Sequence, residues 1–164
     1  MYREWLAVST IRNPNGTPLQ LIDISLDISR MNHVETYMEY LSQHDSLTDL
    51  PNRSLLYTRL QHSLSRAKRD NKGCAVLFLD LDKFKPINDE FGHAAGDEVL
   101  VAIGRRMRAR VRDIDTVARL GGDEFVVVLD AVDEQKDAEV AARHLIQTIQ
   151  EPVTLSSGSV VSVG

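Results

Sequence analysis

An α+β fold, an antiparallel-centred sheet flanked by helices, is what this sequence predicts, and three observations predict it. From residue 52 the pattern runs helix, strand, helix, strand, hairpin, strand, helix, strand, the mixed order of helices packed against one sheet. Gly121-Gly122 separates two β-prone runs, and glycine takes positive φ without a steric penalty, so the pair closes a hairpin. Phe125 to Leu129 is wholly apolar, as a strand buried on both faces would be. At 164 residues and 43% hydrophobic, the chain can bury one core and still carry an appendage.

The appendage comes first. Trp5 to Ile11 and Leu19 to Ile28 read as two strands joined by the turn Asn13-Pro14-Asn15-Gly16. Two strands cannot cover their own apolar face, so residues 1–28 read as the end of something larger. Their Trp, Asn-x-x-Gly and Asp-Ile-Ser run resembles the C-terminal strands of a PAS sensor domain, which passes into a linker helix. Residues 29–43 are that helix, with Ser29 as N-cap and Met31, Val34, Met38 and Leu41 at alternating three- and four-residue steps. This stripe fits either a helix lying on its own domain or a dimerising connector between a sensor and an output domain.

His44 to Arg53 breaks the helical pattern and opens a second domain, residues 44–164. Pro51 disfavours helix at Leu50, and Asn52 can cap the helix after it. Leu56, Leu60, Leu64 and Ala67 stripe that helix, which ends near Asn71. Cys74 to Leu79 is short and charge-free, which reads as a central strand leaving into Asp80-Leu81-Asp82. Lys83 to Gly96, broken by Pro86 and Gly92, reads as a structured crossover loop with a short helical turn. A helix from about Asp97 to Arg112 puts Asp97 and Glu98 in its first turn, where the helix dipole favours acids. Val99, Ile103 and Met107 then face inward, and Arg105, Arg106, Arg108, Arg110 and Arg112 face solvent. After the glycine hairpin, a helix from about Glu134 to Gln150 turns Ala138, Ala141, Leu145 and Ile149 to the core. Val153 to Leu155 and Ser159 to Val163 make a second hairpin.

A formal charge of -5 argues against a nucleic-acid polymer as partner, since tracking phosphates needs a basic surface; a nucleotide needs only a few local cations or a metal. The single Cys74 excludes an internal disulfide framework and reads as a small core residue. No apolar run approaches membrane-spanning length and the N-terminus lacks a signal-peptide pattern, so the cytoplasm is the expected location. Both ends read as cuts through a longer chain, whose other parts could hold a membrane anchor.

The chemistry gathers around two acids. Asp80 leaves one strand and Asp123 stands at the hairpin turn; if those strands are neighbours, both carboxylates converge on one edge of the sheet. Mg²⁺ takes a few carboxylate oxygens and keeps its other positions for water and phosphate. Two such ions about 4 Å apart can activate a hydroxyl and neutralise a leaving pyrophosphate. Read alone, Gly121-Gly122-Asp123-Glu124 is an exposed turn whose acids keep it soluble; Asp80 is what makes it a candidate site.

Gly121-Gly122-Asp123-Glu124-Phe125 resembles the signature of the GGDEF domains, the diguanylate cyclases. His44-Asp45-Ser46-Leu47-Thr48-Asp49-Leu50-Pro51-Asn52-Arg53 is similar to the family's opening motif. Asp80-Leu81-Asp82-Lys83-Phe84-Lys85-Pro86-Ile87-Asn88-Asp89, with Phe91-Gly92-His93-Ala94-Ala95-Gly96-Asp97, is similar to its second block. The resemblance covers residues 44–164 and implies the palm-like nucleotidyl cyclase fold, lacking here the family's last strand and helix. It implies condensation of two GTP into cyclic di-GMP with release of two pyrophosphates, across a homodimer with one GTP on each protomer.

The resemblance also implies roles. Asp80, the Leu81 carbonyl and Asp123 are the implied ligands of Mg²⁺, or of Mn²⁺, with Glu124 as a further one. Asp123 is the implied base, and Lys85 the cation against the triphosphate. Asn88 and Asp97 are the implied guanine readers, His93 a further substrate contact, and Gly121 and Gly122 the bare turn that a phosphate approaches. Arg112 and Asp115 fit the family's R-x-x-D site for the inhibitory product. The alternative is a catalytically silent module that binds GTP or cyclic di-GMP and regulates a partner or an attached phosphodiesterase domain. Basic triphosphate contacts that the family carries further on are absent from these residues, so residues 1–164 alone are expected to be weak or inactive.

Overall fold

The structure, a computed structural model, describes residues 4–12, 15, 18–27, 38 and 40–164, and of 4–12 and 18–27 the backbone alone. The chain divides into two compact units, Met1–Leu41 and Ser42–Gly164. In the first, β1 (Glu4–Arg12) and β2 (Pro18–Asp27) pair antiparallel, with Trp5 opposite Leu26 and a register shift at Ile11/Arg12. The expected cap at Ser29 and the seam residues Met31 and Val34 lie outside the described residues. Met38 and Leu41 are helical and exposed.

The second unit begins with an opening loop closed on itself. Asn52 donates from its backbone to the Gln43 carbonyl and from Nδ2 to the Ser42 carbonyl. Its Oδ1 accepts from the N–H groups of Ser54 and Leu55, the capping expected of it, at the start of α1 (Arg53–Asp70). Asn71 ends that helix in the left-handed conformation.

A three-stranded antiparallel sheet forms the centre, in the order β3 (Gly73–Asp80), β5 (Glu124–Val132), β4 (Thr116–Gly121). Among the described residues β3 pairs with β5 on one side, and just beyond its end Asp82 exchanges two backbone hydrogen bonds with Gly164. β5 pairs on both sides. Its side chains alternate: Phe125, Val127 and Leu129 join the larger core on one face, and Val126 and Val128 a smaller one on the other. Phe78 on β3 is 77% exposed beside a groove of about 540 Å³ shared with Val76, Ile146 and Gly164.

Helices cover both faces. α1 lies across the smaller core, contributing Leu56 and Leu60, while Leu64 stays exposed and Ser63 is buried in its stead. On the other face pack α3 (His93–Arg110) and α4 (Gln135–Gln150), with α2 (Phe84–Phe91) against α3. Val99, Ile103, Met107, Leu145 and Ile149 face that core, as expected. The residues read as a crossover loop form α2, because Pro86 falls in the first helical turn, where a missing N–H breaks no helical bond. α3 consequently starts four residues early, and Asp97 and Glu98 sit in its second turn, beyond the strongest field of the dipole. Arg106 is not simply solvated: its guanidinium holds the Glu151 and Pro152 carbonyls where α4 ends. β6 (Val153–Thr154) and β7 (Val160–Val161) close the second hairpin.

One charge is buried in the smaller core. Asp130 is 2% exposed and accepts from Arg66 Nη1 at 2.9 Å and Ser63 Oγ at 3.3 Å, while its Oδ1 has no hydrogen-bond partner among the described residues. Burial, and then the Asp130 carboxylate, push the Cys74 thiol up, so Cys74 stays a protonated packing residue. Arg66→Ala removes the one cation paired with that carboxylate. It is expected to cost about 1–3 kcal/mol in a denaturant titration, and an unchanged midpoint would contradict the pairing.

Candidate functional site

The hairpin between β4 and β5 is made by backbone geometry that only glycine adopts easily. Gly121 has φ 145° and Gly122 φ 54°. A Cβ at either would touch nothing within 4 Å, so the glycines answer the turn's conformation and leave its outer surface bare. Asp123 comes next, half-buried, and Glu124 opens β5 exposed.

Asp80, exposed at the end of β3, lies directly opposite Glu124 in the antiparallel register. The strands are neighbours, and Asp80 and the turn acids share one end of the sheet. Beside them the buried Leu81 carbonyl accepts a long bond from the Phe84 N–H, 3.3 Å, which leaves a second lone pair. These are hard oxygen donors. Among the described residues no three His, Cys, Asp or Glu side chains gather as a metal cage. Two carboxylates and a carbonyl instead fit a hard divalent cation that keeps other positions for water and phosphate.

The turn is also gripped from behind, by residues that sequence reasoning missed. Arg119 Nε and Nη2 donate to the Gly122 carbonyl at 3.0 and 2.7 Å, and Nη1 donates to both Asp45 oxygens at 3.1 and 2.9 Å. Asp45 also accepts from the Thr48 N–H and Oγ1. Burial raises the Asp45 carboxyl pKa, but the Thr48 and Arg119 bonds outweigh it and hold the group below its ordinary value. The available signal was a lone arginine in an otherwise apolar strand, two residues before a glycine pair.

The expected substrate residues lie on α2 and α3. Lys85 is exposed in the first turn of α2, and His93 is exposed at the first position of α3. Asn88 reaches across to α3: a Cβ on Gly96 would stand 2.0 Å from Asn88 Oδ1. The absence of that Cβ lets the Asn88 amide lie against α3 at Gly96, the residue before Asp97. Asp97 is exposed and lines a cavity of about 590 Å³ with Leu47, Val101 and Arg105. Glu98 lines the same cavity and is bonded to the N–H and Oγ of Ser156, and those bonds lower its carboxyl pKa.

Arg112 and Asp115 form a tight turn of their own. Asp115, 2% exposed, accepts from the Arg112 N–H at 2.9 Å, from Arg112 Nε at 3.3 Å and from the Asp130 N–H at 3.0 Å. Its carboxylate serves the fold, and the more exposed Arg112 guanidinium is the member turned to solvent.

Comparison with known proteins identifies the family. The family model "Diguanylate cyclase, GGDEF domain" matches residues 42–164. The chain belongs to the GGDEF family. It is similar to diguanylate cyclase TpbB of Pseudomonas aeruginosa, 46% identical over 82% of this chain and 31% of the relative. The solved GGDEF domain of TpbB superposes with a TM-score of 0.71 at 50% identity, over 74% of this chain and 70% of that one. It is also similar to the bifunctional diguanylate cyclase/cyclic di-GMP phosphodiesterase MucR of the same organism, 49% identical over 71% of this chain and 17% of the relative. A microbial GGDEF domain solved with cyclic di-GMP matches at 31% identity and a TM-score of 0.61, over 66% of this chain and 70% of that one. The chain thus spans less than a third of the curated relatives it matches. Cyclases of this family use a divalent metal. Among the described residues no helix is long and apolar enough to cross a membrane.

Proposed function

We propose that the full-length protein is a diguanylate cyclase, condensing two GTP into cyclic di-GMP with release of two pyrophosphates. One observation supports the reading: Asp80 pairs with Glu124, the residue after Asp123, so these acids share the end of the sheet that carries the bare glycine turn. Asn88 and Asp97 read guanine, the amide and carboxylate supplying the mixed acceptor and donor pattern that distinguishes it from adenine. Lys85 and His93 contact the substrate, Lys85 against the triphosphate, where its charge stabilises the transition state. Asp123 takes the proton from the attacking 3′-hydroxyl. A divalent ion, Mg²⁺ or Mn²⁺, held by Asp80, the Leu81 carbonyl and Asp123 with Glu124 in reserve, would polarise that hydroxyl and offset charge on the leaving pyrophosphate.

Each protomer supplies half of this site, so a homodimer is the working unit, and the exposed Arg112 guanidinium, with Asp115 buried behind it as its anchor, takes the product as inhibitor. The cytoplasm, where GTP is made, is the proposed location. Chelating the divalent ion is expected to stop turnover; cyclic di-GMP formation persisting in excess chelator would overturn the metal assignment. MucR, which joins both activities in one chain, motivates a second reading, a silent module regulating an attached phosphodiesterase. That reading predicts GTP bound and recovered intact.

A further inference from the structure

The glycine turn has no steric reason to hold one shape. Both glycines sit at positive φ, are exposed, and have nothing within 4 Å of where a Cβ would be. A residue on such a turn inherits its freedom unless something outside fixes the backbone. The carbonyl that Arg119 grips belongs to the peptide joining Gly122 to Asp123, and a planar peptide carries the next Cα with it. Fixing the Gly122 oxygen with two donors therefore fixes the base of the Asp123 side chain.

Arg119 is held in turn. Its side chain is 10% exposed, and Asp45, 19% exposed, takes its third nitrogen on both carboxylate oxygens. Its backbone N–H donates to the Pro51 carbonyl at 3.0 Å, so main chain and side chain both tie β4 to the opening loop. That loop is closed across its base by Asn52 on Ser42 and Gln43, and inside by the Asp45 N–H on the Leu50 carbonyl. The planar fork of arginine presents separate nitrogens to two acceptors in one fixed geometry, where a lysine has a single ammonium.

We propose that Asp45 and Arg119 are positioning residues that aim the Asp123 carboxylate through the Gly122 carbonyl, making the opening loop a control point for catalysis. The inference rests on the cyclase reading for its consequence but not for its geometry. A loop shift that moves Asp45 withdraws the third anchor of Arg119 and frees the turn. Leu47 of the same loop lines the Asp97 cavity, so the side chains rather than the loop are changed in the test: among the described residues Asp45 and Arg119 make no side-chain hydrogen bond to α2 or α3, and substrate binding there is expected to stay as it was. The signature is a loss in kcat without a change in KM.

The test compares Asp45→Asn, Arg119→Lys and the double variant in the full-length protein, by steady-state kinetics and by amide hydrogen exchange at residues 121–124. Each single variant is expected to lose about 10- to 100-fold in kcat, the scale of a small misplacement of a reacting group, with KM for GTP within about 2-fold. If Asp45 acts through Arg119, the double variant loses no more than Arg119→Lys alone. Exchange at 121–124 should speed up in all three. Wild-type kcat in both single variants, losses that multiply in the double, or a rise in KM at constant kcat would each overturn the proposal. If the wild-type protein forms no cyclic di-GMP, the cyclase reading fails by itself and exchange decides: faster exchange in Asp45→Asn upholds the relay, and unchanged exchange overturns it.

Discussion

Asp123→Ala is expected to remove cyclic di-GMP synthesis from the full-length protein, lowering kcat by at least about 10²–10⁴-fold, the range attributed to one general base. The half-buried Asp123 stands on the turn that faces Asp80, so its loss takes away a proton acceptor and a metal oxygen together. Asp123→Asn should be nearly as damaging, since an amide keeps the shape and loses both charge and basicity. Glu124→Gln is the contrast. Glu124 is exposed and serves only as a further ligand, so this variant is expected to keep more of the activity. Kinetics of the three variants at saturating GTP check this, and turnover by Asp123→Ala near the wild-type rate would remove Asp123 from the site.

Gly96→Ala is the second large effect, and it falls on binding. The new methyl would stand 2.0 Å from Asn88 Oδ1, 2.9 Å from its Cγ and 3.2 Å from Phe84 Cζ. Phe84 is in the core, so the Asn88 amide is the group that yields. Losing a buried or oriented hydrogen bond costs about 1–3 kcal/mol, or roughly 5- to 150-fold in KM for GTP. kcat at saturation should change far less, because the acids at the sheet end are untouched. Asn88→Ala should raise KM equally, and Gly96→Ala should add nothing to it. A normal KM in Gly96→Ala would show that Asn88 does not read the base.

These two variants divide the site into a half for chemistry and a half for recognition, and the halves were not equally legible in the sequence. The turn Gly121 to Glu124 was readable from its glycines, and Asp80 from its place at a strand exit. The pairing of Asp80 with Glu124 came from the strand order. The start of α3 was misplaced because Gly92 and Pro86 look like breakers; one sits between two helices, and the other falls harmlessly in a first turn. The contact of Asn88 with Gly96 needed coordinates, since nothing local distinguishes a glycine of close approach from a weak helix former.

Least legible was the pair Asp45 and Arg119, separated by 74 residues. Each has an ordinary local reading, an acid in a turn and a base in a strand, and only the fold gives them a common target in the Gly122 carbonyl. The structural role of Asp115 belongs with this. The motif was visible, but not that Asp115 would spend its carboxylate on the backbone of Arg112 and Asp130.

The measurement closest to the central claim tracks GTP, pyrophosphate and cyclic di-GMP together, with the purified full-length protein and a divalent ion. The site described predicts two pyrophosphates for every cyclic di-GMP, with both products absent in Asp123→Ala. GTP bound stoichiometrically and recovered unchanged would contradict it.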